Sequence, residues 1–360
     1  MKARIHLVAG ARPNFMKIGP LYHALAASDW AEPIFVHTGQ HYDPLMSEVF
    51  LRDIGLPLPH VHLGASGDSH ATMTADVMVA YEKALKANPP DYVVVAGDVD
   101  STLGAALATR KLNLRLAHLE AGLRSFDRTM PEEINRRLTD AMSDLLWTPS
   151  EDADLNLARE GIDSTSIVRI GNVMIDAYVR LESAITGARV PNEMGLSAKS
   201  YLVATLHRPA NVDDPVKLAL LLDSLGTIAA DIPITFPVHP RTRKAMKASG
   251  ISVSKNIKLL EPMSYIRFMS LIRDAAAVIT DSGGIQEETT YLGIPCLTLR
   301  ESTERPVTIT HGTNRLVQPA DLATAVRTAI SAPRGSAPSI PLWDGHAAER
   351  AARSLKDRVG

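Results

Sequence analysis

Short β-branched runs recur along this 360-residue chain, and most of them end in Gly, Asp, Glu or His and not in a hairpin turn, with stretches of helical composition between them. This rhythm predicts βαβ units and therefore an α/β protein of two doubly wound parallel sheets. The predicted strands of the first half are ARIHLVAG from Ala3, IFVHTG from Ile34, YVVVAGD from Tyr92 and RLAHLEAG from Arg115. Those of the second half are YLVATLH from Tyr201, ITFPVH from Ile234, AAVITDS from Ala276 and IPCLTLR from Ile294. After Gly171 the pattern is lost, and Gly, Pro, Asn and Ser accumulate before the next strand. Domains of residues 1–170 and 171–345 are expected on that ground. The Pro-rich stretch SAPRGSAPSIPLWDG from Ser331 reads as a surface excursion, and residues 346–360 as a last amphipathic helix.

Hydrophobic residues make up 45% of the chain and charged ones 22%, which suits a well-buried core. With 38 Lys and Arg against 40 Asp and Glu, the charge of -2 gives no overall reason to bind nucleic acid or an anionic membrane surface. Any phosphate must be held by a local site. The one cysteine, Cys296, excludes an internal disulfide framework, a cysteine-based zinc site and an iron–sulfur cluster, and its run IPCLTL reads as a buried, inert thiol. A reducing cytoplasm fits this usage. No stretch approaches the roughly 18 apolar residues of a membrane span. Near the N-terminus, Arg12 stands where a signal peptide needs a small-residue cleavage site. A cytoplasmic protein is expected. No GxGxxG, GxxxxGK[ST], GxSxG or HExxH pattern is present. His60, His62 and His70 lie in a Gly- and Pro-rich stretch without a matching carboxylate, so no metal site is expected.

Ligands of doubly wound sheets bind outside the carboxyl ends of the strands. Asp98, Glu120, His207, His239 and Asp281 each stand at or just past such an end, drawn from both halves, and so point to a cleft between two domains. In AVITDSGGIQEETTYLGIP, a strand leads through Asp281, Ser282, Gly283 and Gly284 into a helix containing Gln286, Glu287 and Glu288. The glycines would admit a ligand to the backbone, and the helix start offers free N–H groups and a positive dipole end, which suit phosphate. Ser282 has the position of an ordinary N-cap. Glu288, about one turn on, has the reach to accept hydrogen bonds from ribose hydroxyls, so the motif suggests a nucleotide diphosphate. Arg12 and Lys17 after the first strand, with His239, Arg241 and Arg243 in PVHPRTR, are candidate cations for that charge.

Asp98 and Glu120 should end neighbouring strands, which brings two carboxylates near one point, as acid and base catalysis requires. Glu132 is a third candidate. Thr129-x-x-Glu132 has the spacing of a capping box, with Pro131 in the first helical turn. In that helix Ile134, Leu138, Ala141 and Leu145 are expected to form the buried stripe, leaving Glu132, Asn135, Arg136 and Thr139 on another face.

The segments GARPNFMKIGPL, HTGQHYD, GDVDSTLGAALA, HLEAGLRSFDRTMPEEINR, GNVMIDA, TLHRPANVDDP, FPVHPRTR and DSGGIQEETTYLGIPCLTLRESTERP occur in this order. Together they closely resemble the non-hydrolysing UDP-N-acetylglucosamine 2-epimerases, over residues 1 to about 317. The resemblance implies the GT-B architecture, two Rossmann-like domains facing across a cleft, with the C-terminal helix crossing back to the first domain. It implies a cytoplasmic homodimer acting on a UDP-sugar without metal or cofactor. It implies inversion of carbon 2 by elimination of UDP to 2-acetamidoglucal and re-addition. By motif, Asp98, Glu120 and Glu132 match the family's catalytic acids and His207 its histidine near the diphosphate. Arg12, Lys17, Arg136, His239, Ser282, Gly283, Gly284, Glu288 and Arg305 match its nucleotide- and phosphate-binding positions. Where some bacterial members carry QHxQ at an allosteric site, this chain reads Gln40-His41-Tyr42-Asp43, so that mechanism is not expected. Residues 123–131 are fewer than in those members, and TGQHYD with RSFDRTMPEEINR resembles relatives acting on UDP-2,3-diacetamido-2,3-dideoxyglucuronate. That substrate, a hydrolysing 2-epimerase and a GT-B glycosyltransferase are the alternatives.

Overall fold

A computed structural model describes residues 2–39, 50–333 and 335–359; Gln40-His41-Tyr42-Asp43 lies outside these. The chain forms two compact units, Met1–Arg180 with Pro341–Gly360, and Leu181–Ile340. The helix Val173–Ala188 runs through the point of division.

In the first unit the strands are β1 (Ala3–Ala9), β2 (Ala31–His37), β3 (Val61–His62), β4 (Tyr92–Ala96), β5 (Leu116–Leu119), β6 (Leu145–Thr148) and β7 (Ile167–Arg169). They make one parallel sheet in the order β3-β2-β1-β4-β5-β6-β7. The second unit holds β8 (Leu202–Ala204), β9 (Ile234–Pro237), β10 (Ile257–Leu260), β11 (Ala277–Thr280), β12 (Cys296–Thr298) and β13 (Asn314–Leu316). Their parallel order is β10-β9-β8-β11-β12-β13. Each sheet is wound outward from its first strand in both directions, so the order reverses between β1 and β4 and again between β8 and β11. Such reversals open a crevice at the strand ends, because the two flanking helices lie on opposite faces.

All eight strands expected from the sequence form. β3, β6, β7, β10 and β13 were not anticipated, being only two to four residues long and too short to show a period. Leu145, expected in a helical stripe, begins β6 instead. β4 is a continuous apolar run with all five residues buried, as a strand covered on both faces requires. Cys296 is fully buried, and burial pushes its thiol up to about 11, which keeps it protonated.

The last helix, Ala347–Val359, lies in the first unit against the helix Arg12–Ala26. Its free N-terminal amides are met by Asp176, which accepts hydrogen bonds from the Ala347 and Ala348 N–H groups at 3.1 and 2.7 Å. Trp147 Nε1 also donates to Ser354 Oγ on it, at 2.7 Å. Among the described residues no helix is long and apolar enough to cross a membrane.

Candidate active site

The β1–β4 reversal gathers the polar side chains of the first unit. The helix Arg12–Ala26 starts three residues past β1 and turns Asn14 and Lys17 inward, both buried. Asn14 Nδ2 donates to the Ala96 carbonyl at 2.7 Å, anchoring that helix to the end of β4. Lys17 Nζ donates to Glu120 Oε2 in a buried ion pair. Glu120 directly follows β5, the neighbour of β4, so the expected meeting of these strand ends is realised. Its backbone is left-handed, with φ 75°, a conformation that for a non-glycine residue costs on the order of 1–3 kcal/mol and persists only where surroundings enforce it. Gly97, with φ 67°, has to be glycine: a Cβ there would lie 2.8 Å from Lys17 Nζ and 3.5 Å from Glu120 Oε2.

Asp98 follows in the same turn, its side chain 24% exposed, and accepts from Arg136 Nε and Nη2 at 3.2 and 2.5 Å. Arg136 also pairs with Glu133 at 2.5 Å, and Glu133 in turn accepts from the N–H and hydroxyl of Ser125, both at 2.9 Å. Asn135 Nδ2 donates to the Asp98 carbonyl at 3.0 Å and to Asp100 Oδ1 at 3.1 Å. Glu132, half-buried, stands one turn before Arg136 on the same helix. Arg12 is exposed at the start of its helix, its guanidinium 5.9 Å from the Phe50 ring centroid.

Two expectations for the helix Pro131–Met142 are corrected. The capping box does not form: the helix begins at Pro131 with Met130 as its N-cap, and Thr129 Oγ1 and N–H donate instead to Asp127. The buried face is also the opposite one. Ile134 and Leu138 are 50% and 48% exposed, and Ala141 is exposed too, while Asn135, Arg136, Thr139 and Asp140 are buried. The polar side turns inward because the strand ends supply carboxylates, a carbonyl and an amide that satisfy it, so burying it leaves no polar group stranded.

The second unit repeats the arrangement at the β8–β11 reversal. Asp281, fully buried after β11, accepts from the His207 and Arg208 backbone N–H groups and from Asn211 Nδ2 at 2.9 to 3.1 Å. His207 Nδ1 lies 2.9 Å from Asp281 Oδ1. Burial works to raise the Asp281 carboxyl, but the bonds from the His207 imidazole, Arg208 and Asn211 prevail and hold it below the usual value. An ionised Asp281 fixes the Nδ1–H tautomer of His207 and leaves Nε2 for a ligand. The His239 ring is 5.6 Å from that of His207, and its Nδ1 accepts from the Arg241 N–H at 3.2 Å, so its Nε2 carries a proton to donate. Arg241 and Arg243 pair on the surface with Asp213 and Glu261, at 2.5 and 3.0 Å.

Ser282 is the N-cap of the helix Gly283–Tyr291, as expected, without a side-chain cap bond. The two glycines differ. A Cβ on Gly283 would fall 2.5 Å from Arg305 Nη1 and 2.7 Å from Glu304 Oε1, whereas one on Gly284 would meet no heavy atom within 4 Å. Gly283 is small for the protein's own packing, whereas the space beside Gly284 is open. Gly283→Ala should therefore lower the melting temperature by several degrees, as overpacking of about 1–3 kcal/mol implies, while Gly284→Ala should leave it within about two degrees. Differential scanning calorimetry of both variants checks this. Arg305, itself buried, pairs with Glu287 at 2.9 Å and with Glu304.

Glu288 is buried, and Tyr265 Oη donates to its Oε1 at 2.7 Å. Burial pushes the Glu288 carboxyl up to about 8, with the neighbouring Glu287 adding to the rise and Tyr265 opposing it. A carboxyl raised in the folded state favours the fold fully below its ordinary value of 4.5, and this contribution is lost as pH climbs towards 8. The wild-type melting temperature is thus expected to fall between about pH 5 and pH 9 by more than that of Glu288→Gln, measured in parallel scans. Equal slopes would remove the argument.

Asn14, His118, Glu133, Asp140, Tyr265 and Glu304 were not singled out from the sequence. For Glu133 a signal existed: PEEINRR carries two adjacent carboxylates, and the second is the one buried against Arg136. Of the His60, His62 and His70 stretch, His60 Nδ1 accepts from the Phe35 N–H, and His70 reaches the edge of the first cluster by pairing with Asp100. Among the described residues no group of three or more His, Cys, Asp or Glu side chains is arranged to hold a metal ion.

The family described as UDP-N-acetylglucosamine 2-epimerase matches residues 23–356. A UDP-N-acetylglucosamine 2-epimerase homolog of Methanococcus maripaludis is 41% identical over 320 residues, 87% of this chain and 88% of its own. The UDP-2,3-diacetamido-2,3-dideoxy-D-glucuronate 2-epimerase of Pseudomonas aeruginosa is 39% identical over 318 residues, with coverage of 87% and 88%. Among solved structures, the Methanocaldococcus jannaschii UDP-GlcNAc 2-epimerase in complex with UDP-GlcNAc and UDP aligns with a TM-score of 0.91 at 37% identity, covering 98% of this chain and 99% of that one.

Proposed function

We propose, from the premise that this chain belongs to the UDP-N-acetylglucosamine 2-epimerase family, that it interconverts UDP-N-acetylglucosamine and UDP-N-acetylmannosamine by inverting carbon 2. Its two parallel-sheet α/β domains have the GT-B architecture of that family. The observation that carries the reading is a cluster of polar side chains at the strand-order reversal of each unit. One holds Asp98 and Glu120 at adjacent strand ends, and the other holds a glycine-rich helix start with His207, His239 and Arg305.

We assign the carboxylates to the chemistry at the sugar and the glycine-rich helix start to the nucleotide. The carbon-2 proton of the sugar is not acidic, so the anomeric C–O bond has to be largely broken as that proton leaves. One carboxylate takes the proton, a C1–C2 double bond forms, and the bonding pair departs with UDP, leaving 2-acetamidoglucal. Return of a proton to the opposite face of carbon 2, with re-addition of UDP at carbon 1, completes the inversion. Positive charge grows on the ring and negative charge on the diphosphate, so preorganised carboxylates favour the first and cations with a helix N-terminus the second. We assign acid and base work to Asp98, Glu120 and Glu132. We assign diphosphate binding to Arg12, Lys17, Arg136, His239, Ser282, Gly283, Gly284 and Arg305. His207 Nε2 serves the departing phosphate, and Glu288 the ribose. The enzyme works as a cytoplasmic homodimer without metal or nicotinamide, on this proposal.

Proton NMR with UDP-N-acetylglucosamine in deuterium oxide tests the reading. A new anomeric signal from UDP-N-acetylmannosamine with deuterium at carbon 2 is expected. Accumulating free UDP points instead to a hydrolysing enzyme, and a need for a second sugar acceptor to a glycosyltransferase. The Pseudomonas aeruginosa relative gives one further reading a specific basis, the same inversion on UDP-2,3-diacetamido-2,3-dideoxyglucuronate. Exchange with that sugar alone would decide for it.

A further inference from the structure

We propose that the buried pair His118–Asp140 is a positioning element for this reaction, an imidazolium–carboxylate pair that locks three carboxylate-bearing segments into one register. The proposal rests on the reading above in that those carboxylates do the chemistry. His118 is the third residue of β5, two before Glu120, and is fully buried. Its Nε2 lies 2.8 Å from the Gly97 carbonyl oxygen, which can only accept, so Nε2 carries a proton. Its Nδ1 lies 2.6 Å from Asp140 Oδ1. The other oxygen of Asp140 accepts from the Gly122 N–H and the Arg124 guanidinium, so Asp140 is an ionised acceptor. Nδ1 therefore carries a proton as well. A ring whose two nitrogens both donate is an imidazolium.

Each contact of the pair ends on a segment that carries a candidate acid or base. The Gly97 carbonyl belongs to the turn bearing Asp98, and the Gly97 N–H is tied back to the Leu119 carbonyl at 3.0 Å. Asp140 Oδ2 accepts from the Gly122 N–H at 3.1 Å and from Arg124 at 2.7 Å, so the backbone is held on both sides of Glu120. Asp140 itself is on the helix Pro131–Met142, which carries Glu132 and Arg136. Gly97, Glu120 and Gly122 all have positive φ, at 67°, 75° and 81°. The two glycines adopt such angles freely, but the left-handed Glu120 between them persists only where its surroundings enforce it, and the pair holds the backbone on both sides of it. Beyond it, Arg124 reaches Glu160 at 2.7 and 2.9 Å, so charge alternates from His118 outward to a carboxylate that meets solvent. With both nitrogens committed, His118 has no atom left for substrate, and it acts through the segments it holds.

Nitrogen-15 NMR of the full-length protein with labelled histidine reads the pair directly. Two slowly exchanging ring N–H groups on His118 are expected at neutral pH, and a ring with a single proton overturns the proposal. Kinetics of His118→Gln and of the double variant His118→Gln/Asp140→Asn supply the second test. The single variant should lose both melting temperature and kcat. The double variant replaces the charged pair by two amides and should recover most of the melting temperature while kcat stays about 100-fold down, with KM within about threefold. Recovery of kcat together with the melting temperature would show a merely structural pair and overturn the proposal. If the wild-type protein inverts no UDP-sugar, the functional reading fails, whereas the NMR result still judges the pair.

Discussion

Asp98→Asn should lower kcat by about 10²- to 10⁴-fold and leave UDP affinity within about threefold of wild type. Asp98 is the cleaner of the two strand-end carboxylates to test. When its charge is removed, Arg136 keeps Glu133 at 2.5 Å, so no buried cation is left without a counter-charge. Glu120→Gln should be as severe in turnover but less specific. It strips the buried Lys17 of its carboxylate, and breaking a buried pair costs about 3–5 kcal/mol. Steady-state kinetics, calorimetric UDP titration and thermal scans on both variants separate the effects. Near-normal turnover in both would remove Asp98 and Glu120 from the acid/base roles.

The second large effect is expected from Arg305→Met. Glu287 and Glu304 are almost wholly buried, and Arg305 pairs with both while filling the space that the missing side chain of Gly283 leaves. Deleting the guanidinium should cost about 3–5 kcal/mol of stability. It should also weaken UDP binding by about 2–5 kcal/mol, roughly thirtyfold or more, if the same group meets the diphosphate. The surface cation Arg243 is the control: its pair with Glu261 is exposed, and Arg243→Ala should change stability by less than about 1 kcal/mol. Stability lost with UDP affinity intact would make Arg305 a structural residue alone.

The parts legible in the sequence are those encoded locally. YVVVA could be read as a strand because a doubly covered parallel strand is apolar throughout, and Asp98, Glu120, His207, His239 and Asp281 could be picked out because they follow such runs. β3 and β13 escaped because two or three residues at a sheet edge carry no pattern. The pairings within the site escaped for a different reason. Lys17 and Glu120 are 103 positions apart, and Asp98 and Arg136 are 38 apart, so only the folded sheet declares them. The helix Pro131–Met142 was misread because amphipathicity says which side is polar and not which side is inward. Near strand ends rich in unpaired acceptors, the polar side can be the buried one. His118 was passed over because a lone histidine within an apolar strand looks like core, and its partner Asp140 lies on a separate helix.

The solitary thiol at Cys296 has a practical corollary. Fully buried and held protonated, it should stay silent towards maleimides and other thiol-directed reagents while the chain is folded. The native protein is thus its own background for spectroscopic labelling. One cysteine introduced on the surface of each unit would carry a fluorophore pair, and energy transfer between them would follow the distance between the units during turnover without first removing a natural cysteine.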